Sequence, residues 1–139
     1  MKSVLYHFQI NVSDKSKSFV FYEQMLSLLG YKVKEQWEML EMTNGDSEII
    51  FYETAQKYRA IKYHRKETGL NHLAFAVSSK EEVDQFVSEF LKVRNITTLY
   101  GSPKAFPQYT KGYYAVYFED PDRIKIEVVY DPRLSEKFK

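Results

Sequence analysis

The apolar and polar positions change period several times along the chain, and those changes outline its elements. In VLYHFQINV, residues 4–12, Phe8, Ile10 and Val12 fall on one side and His7, Gln9 and Asn11 on the other. Alternation of period two predicts a half-buried strand. Asp14 then opens a helix over residues 15–29: Phe19, Tyr22, Met25, Leu26 and Leu29 recur at spacings of three and four, and Gly30 stops it. Three short strands follow, Lys32–Glu35, Glu38–Thr43 and Glu48–Glu53, with Asn44-Gly45 as a hairpin signal between the last two. Residues 54–68 are polar, carry several Lys and Arg, and read as a connector in which a helical turn fits.

The order then restarts. In GLNHLAFAVSS, Leu73, Phe75 and Val77 take one face and His72, Ala74 and Ala76 the other. Lys80–Asn95 is an amphipathic helix built on Val83, Phe86, Val87, Phe90 and Leu91. A strand near Ile96–Tyr100, a long loop over Gly101–Gly112, a strand at Tyr113–Glu119, the turn Asp120-Pro121-Asp122-Arg123 and a strand at Ile124–Tyr130 complete the series. An offset of 65 carries His7 onto His72, Ile10 onto Phe75, Val12 onto Val77, Phe21 onto Phe86 and Leu26 onto Leu91. An offset of 76 carries the first terminal hairpin onto the second, placing Asn44 on Asp120 and Phe51 on Glu127. The chain is thus an internal repeat of two βαβββ half-modules, an α+β architecture. The halves are assigned to residues 1–57 and 69–131 of one domain, with a connector at 58–68 and a polar tail at 132–139 that frays.

Composition narrows the partners. With 139 residues the chain has the size of one domain and needs neither disulfide nor metal merely to fold. Twenty basic residues balance nineteen acidic ones and no basic block stands out, so neither nucleic acid nor an anionic membrane is favoured. The absence of cysteine excludes disulfides, thiolate metal sites and a cysteine nucleophile. The opening residues read as a strand and no apolar run approaches a membrane span, so a cytoplasmic protein is the expectation. Twelve Tyr and ten Phe are a high count, much of it core, and tyrosines at this density also suit the wall of a partly wet pocket.

The candidate chemistry lies on the strands that open and close the halves. His7 and His72 sit at equivalent positions, each opposite its strand's helix-facing residues, so a curved sheet would aim both into one concavity. Glu127 in IKIEVVY lies opposite Ile124, Ile126 and Val128, sharing a face with Lys125 and Val129. A carboxylate amid an apolar strand is costly to bury unless a cation meets it. A lone strand histidine is ordinarily a hydrogen-bonded structural residue, but two at repeat-equivalent positions beside such a glutamate suit a divalent metal. His7, His72 and Glu127 are therefore the candidate metal ligands, leaving coordination positions open for water or substrate. Mn, Fe, Ni and Zn fit this donor set about equally, and no organic cofactor is expected. His64, in the polar connector, reads as a solvated side chain.

Three segments carry a family resemblance: HFQINVSDKSKSFVFYEQMLSLLGYK, GLNHLAFAVSSKEEVDQFVSEFL and GYYAVYFEDPDRIKIEVVY. The first is similar to an opening strand with an FY-containing helix ending in LG, the second to a His-x-Ala-Phe strand, and the third to a DPD turn followed by a Glu on the final strand. Together they resemble the vicinal oxygen chelate superfamily, which holds glyoxalase I, fosfomycin-resistance proteins, extradiol dioxygenases and bleomycin-binding proteins. The resemblance implies paired βαβββ modules, a cup-shaped mixed sheet with helices outside, and His7, His72 and Glu127 as metal ligands. Two departures stand out. The position of glyoxalase I's fourth ligand aligns with Phe51, and Glu53, two residues on, would replace it only if the strand slips or bends. The final turn has Arg123 where the family usually has Gly, and a residue with a Cβ is strained in a left-handed turn.

The expected function is a metal-dependent lyase, isomerase or transferase that chelates a small oxygenated substrate. The alternatives are an Fe(II)-dependent ring-cleaving dioxygenase, or a non-catalytic protein that sequesters an antibiotic or other small molecule. Glu53, Tyr113 and Tyr117 are the pocket-lining catalytic candidates, and the loop 101–112, with Lys104, Tyr109 and Lys111, is suited to covering an anionic or polar ligand. A homodimer is the expected assembly.

Overall fold

A computed structural model describes all 139 residues. It divides into two compact units, Met1–Lys62 and Tyr63–Lys139. The first contains β1 (His7–Val12), α1 (Lys15–Leu28), β2 (Lys32–Gln36), β3 (Met39–Thr43) and β4 (Glu48–Glu53), followed by a 3-10 turn at Gln56–Tyr58. The second contains β5 (His72–Val77), α2 (Lys80–Phe86, continuing as a π-helical turn over Val87–Lys92), β6 (Thr98–Ala105), β7 (Tyr114–Glu119) and β8 (Lys125–Tyr130). The tail, expected to fray, forms a 3-10 segment over Pro132–Phe138. No helix is long and apolar enough to cross a membrane.

Each unit is a four-stranded mixed sheet, with strand orders β1-β4-β3-β2 and β5-β8-β7-β6. In both, the opening strand runs parallel to the closing one, and the other neighbours are antiparallel. The parallel pairing needs a crossover, which the helix supplies. Helix starts follow the local chemistry. The Asp14 carboxylate accepts from Ser16 N–H at 2.9 Å at the head of α1. At α2, Ser79 Oγ accepts from Glu82 N–H at 3.2 Å while the Glu82 carboxylate reaches back to Ser78 N–H at 2.7 Å, close to a capping box.

One face of each sheet packs on its helix. In the first unit Tyr22 stacks on Phe51 with ring centres 4.0 Å apart, beside the buried Met25, Leu26, Leu40, Met42 and Ile49. In the second, Phe86 lies 5.3 Å from Phe90 and 5.5 Å from Phe118, over the fully buried Ile126 and Val128. The opposite faces are set by strand register. Row by row they carry His7–Glu48–Thr43 and Gln9–Ile50–Glu41 in the first unit, and His72–Lys125–Glu119 and Ala74–Glu127–Tyr117 in the second.

This register corrects the alignment of the halves. Thr43 pairs with Glu48, whereas Glu119 pairs with Lys125, so the second hairpin turn is one residue longer. The offset of 76 holds up to that turn and becomes 77 after it. Ile50, not Phe51, is therefore the counterpart of Glu127, and Phe51 is a helix-facing core residue with no exposure. The strand boundary also differs in the second half: β6 runs on to Ala105 through a register shift between Leu99 and Lys104, so the first five residues of the expected loop 101–112 are strand.

The longer turn is organised by Asp120, whose carboxylate accepts from Asp122 N–H at 2.8 Å and Ile124 N–H at 2.7 Å. Arg123 takes the left-handed conformation with φ 67° despite its Cβ. Its side chain makes only an exposed 3.5 Å contact with Glu119, of little energetic weight. Arg123→Gly should therefore raise the unfolding free energy by roughly 1 kcal/mol. Denaturant unfolding of the two chains checks this, and a destabilised variant would refute the account of the turn.

Candidate functional site

A cleft of about 780 Å³ opens on the non-helical face of the second unit. Glu127 lies in it with 2% of its surface exposed. The carboxylate is not left bare. Tyr113 and Tyr117 donate their hydroxyl protons to Oε1 at 2.6 and 2.7 Å, and His72 Nε2 faces Oε2 at 3.3 Å. Strand parity produces this convergence: Tyr117 is directly across from Glu127 on β7, Tyr113 precedes it by four residues on the same side, and His72 lies one row away on β5.

Burial pushes both phenol pKa values up, and the hydrogen bonds to Glu127 push them further. The two hydroxyls are therefore proton donors throughout the ordinary pH range. On the other side, His72 Nδ1 lies 2.8 Å from Asn71 Oδ1. The amide oxygen accepts from a protonated Nδ1, so that in the neutral imidazole Nε2 is the nitrogen that carries the lone pair.

The fit to a divalent metal is tested by the gap between His72 and Glu127. Two ligands bound at about 2.0–2.2 Å and roughly tetrahedral or right-angle separation lie about 3.0–3.5 Å apart. The observed 3.3 Å between Nε2 and Oε2 falls in that range. Both phenols sit on the other oxygen, so Oε2 keeps a lone pair beside Nε2. An imidazole nitrogen and a carboxylate oxygen form a donor set suited to borderline divalent ions. No group of three or more His, Asp or Glu side chains is gathered for a metal, and His72 and Glu127 are the two candidate ligands within the second unit.

His7 belongs to the first unit, where it is exposed on the open face of β1 in the position equivalent to His72, its ring 4.9 Å from that of Tyr6. Its row neighbour is Glu48. The carboxylates of that face, Glu48 and Glu41, both hold Lys34, at 2.6 and 2.9 Å. Those bonds, Glu48 first, raise the Lys34 ammonium well above the usual lysine range, and Lys34 in turn lowers Glu48.

The expectation that Glu53 lines a pocket is corrected. It lies on the helix side of β4, accepting from Lys15 N–H at 3.2 Å and pairing with Arg59 at 2.8 Å. His64 is exposed, with Nδ1 accepting from Lys66 N–H at 3.2 Å.

The cleft also contains residues that the sequence reading passed over. Tyr100 and Phe106 line it, as does Lys125. Lys125 was legible from parity alone, two residues before Glu127 on the same face. Tyr100 was not, because its placement depends on the irregular β6. There Tyr100 and Gly101 both have positive φ, 60° and 63°, which turns the tyrosine ring to within 5.4 Å of Tyr117.

The fold is shared with known proteins. A model of the Glyoxalase/Bleomycin resistance protein/Dioxygenase superfamily matches residues 4–128. An uncharacterized protein of Bacillus subtilis (strain 168), YqjT, is 36% identical over 126 residues, covering 90% of this chain and 97% of that one. The crystal structure of a candidate glyoxalase from Bacillus halodurans superposes with a TM-score of 0.85 at 36% identity, over 94% of this chain and 97% of the other. The fosfomycin resistance protein FosX of Listeria monocytogenes shares the fold at 21% identity, with a TM-score of 0.66 over 94% and 95% of the two chains. With a family match over nearly its whole length and the βαβββ topology in both halves, the chain belongs to the Glyoxalase/Bleomycin resistance protein/Dioxygenase superfamily.

Proposed function

We propose that the cleft of the second unit is the active site of a metal-dependent enzyme of glyoxalase type. It acts on a small oxygenated substrate by lyase, isomerase or transferase chemistry. The observation that carries this reading is the pair His72 Nε2 and Glu127 Oε2, 3.3 Å apart in the wall of an aromatic cleft. Two acceptors so placed repel unless a proton or a metal cation lies between them. When bound there, a divalent ion supplies Lewis acidity that stabilises negative charge developing on a substrate oxygen.

The protein side chains have separable tasks in this reading. His72 and Glu127 hold the ion, and His7 is proposed as the third ligand on the strength of its repeat-equivalent position. Tyr113 and Tyr117 are positioning residues: they bind Oε1 and so turn Oε2 toward His72. Their raised pKa values unfit them as general bases, since a base must be deprotonated near the working pH. Asn71 fixes the imidazole tautomer. The lyase, isomerase and transferase alternatives differ in the base or nucleophile supplied.

Two measurements follow. Titration of the full chain with Mn, Fe, Ni and Zn should reach about one ion per chain. His72→Ala and Glu127→Gln should abolish that binding, His7→Ala should weaken it, and Asn71→Ala should cost roughly 10–100-fold in affinity. His64→Ala should leave it unchanged. If the folded wild type takes up none of these ions, the enzymatic reading fails and the cleft is that of a sequestering protein.

The phenols give an independent test. The folded chain holds their protons above the pH at which the unfolded chain releases them, about 10. Their contribution to stability is thus complete below that pH and declines as pH rises beyond it. In a titration of tyrosinate absorbance, the Tyr113→Phe/Tyr117→Phe double variant should lose no amplitude from the folded-state transition, only from the phase released on unfolding. Lost folded-state amplitude would show that these phenols titrate normally.

A further inference from the structure

We infer that the ligand of this cleft is a flat, conjugated acid, its ring system held among tyrosines and its anionic group paired with Lys125. The inference rests on the cleft being the functional site and names the class of molecule that site takes. Two observations carry it, one for shape and one for charge.

The apolar wall of the cleft is aromatic throughout. Tyr100, Phe106, Tyr109, Tyr113 and Tyr117 line it, and no Leu, Ile, Val or Met does. The rings form a connected series: Tyr100 to Tyr117 at 5.4 Å, Tyr117 to Phe106 at 5.3 Å, Phe106 to Tyr109 at 6.0 Å and Tyr109 to Tyr113 at 5.3 Å. Tyr100 and Tyr109 at the rim are 53% and 58% exposed, so their rings have area left for a ligand. Such surfaces favour a planar π-system, which meets them in stacked or edge-on contact, over an aliphatic chain of equal area. The backbone strain at Tyr100, a non-glycine residue in the left-handed region, is a cost that holds one of these rings at the rim.

An aromatic box can equally attract a cation, so charge decides the sign. That role is already filled: Lys125 Nζ lies 5.6 Å from the centre of the Tyr100 ring and 5.8 Å from that of Tyr117. Lys125 is half-buried on the cleft face and has no carboxylate within ion-pair distance. The acids around it are engaged. Glu119, its neighbour across the β7–β8 ladder, is held by Arg65 and Arg123. Glu127, one row away, is bound by both phenols and faces His72. The other cationic side chain of the cleft, Arg133, is forked onto Asp131. A second cation would meet the Lys125 ammonium, whereas an anionic group would supply the counter-charge that it lacks.

The test uses three probes that separate shape from charge: 2-naphthoate, its neutral isostere 2-naphthamide, and saturated decahydro-2-naphthoate. Binding to the full chain is measured by calorimetry in EDTA, so that metal chelation of the carboxylate plays no part. The wild type should bind 2-naphthoate about ten-fold more tightly than either other probe. Lys125→Met should bring the naphthoate down to the level of the amide and leave the amide unchanged, while Lys125→Arg should keep the preference. Equal binding of acid and amide by the wild type, a preference surviving in folded Lys125→Met, equal binding of the saturated acid, or no binding of any probe would each overturn the inference. Failure here is distinct from failure of the enzymatic reading. A metal that binds through His72 beside a cleft indifferent to naphthoate sinks only this inference, and a Lys125-dependent preference in a chain that binds no metal sinks only the other.

Discussion

The second unit is organised around the problem of a carboxylate inside a sheet. Glu127 lies on β8 between Ile126 and Val128, with the buried centre of β7, residues 115–118, beside it. An ionised carboxylate in such a place is tolerated only if its oxygens are bonded, because burial without partners costs several kcal/mol. Two phenols meet one oxygen and an imidazole faces the other. Each partner imposes its own requirement. Tyr113 and Tyr117 must share the parity of Glu127, so β7 cannot slip by one residue without turning both hydroxyls to the helix face. The imidazole must come from the strand on the other side, and a parallel β5 brings His72 there because its helix carries the chain across. Cleft, register and crossover are thus parts of one solution.

The sequence carried most of that solution, since it depends on period and parity. Alternation in β1, β5 and β8 identified the faces of His7, His72 and Glu127, and helical spacing found both helices within a residue or two at their starts. It did not carry what depends on counting through turns. Asn44-Gly45 and Asp120-Pro121-Asp122-Arg123 both announce a hairpin, yet neither reveals that the second has one more residue between paired positions. That single residue moved the counterpart of Glu127 from Phe51 to Ile50, and Glu53, which shares the face of Phe51, lies on the helix side, where it binds the start of α1. The irregular β6 was hidden for a related reason. Gly101 and Pro103 are loop signals, and the strand keeps them only by breaking register between Leu99 and Lys104. Tyr100, the ring which that irregularity places at the cleft, was therefore out of reach of any periodic reading.

Comparison of the two open faces separates what the fold determines from what the residues add. The backbone frame is the same in both: a histidine on the opening strand, a neighbour on the closing strand, and the next row one step along. Its occupants differ in charge. The row of His7 contains Glu48 where that of His72 contains Lys125, and the next contains Ile50 and Glu41 where the second unit has Glu127 and Tyr117. In the first unit the acids are neutralised internally, since Glu41 and Glu48 share the ammonium of Lys34 from β2. In the second, the carboxylate is satisfied by neutral phenols, which consume no positive charge. Lys125 is consequently left without a carboxylate partner, and Oε2 of Glu127 has the His72 imidazole as its neighbour. A face that satisfies its buried acid with phenols and an imidazole spends no lysine on it, and Lys125 is left without an internal counter-charge.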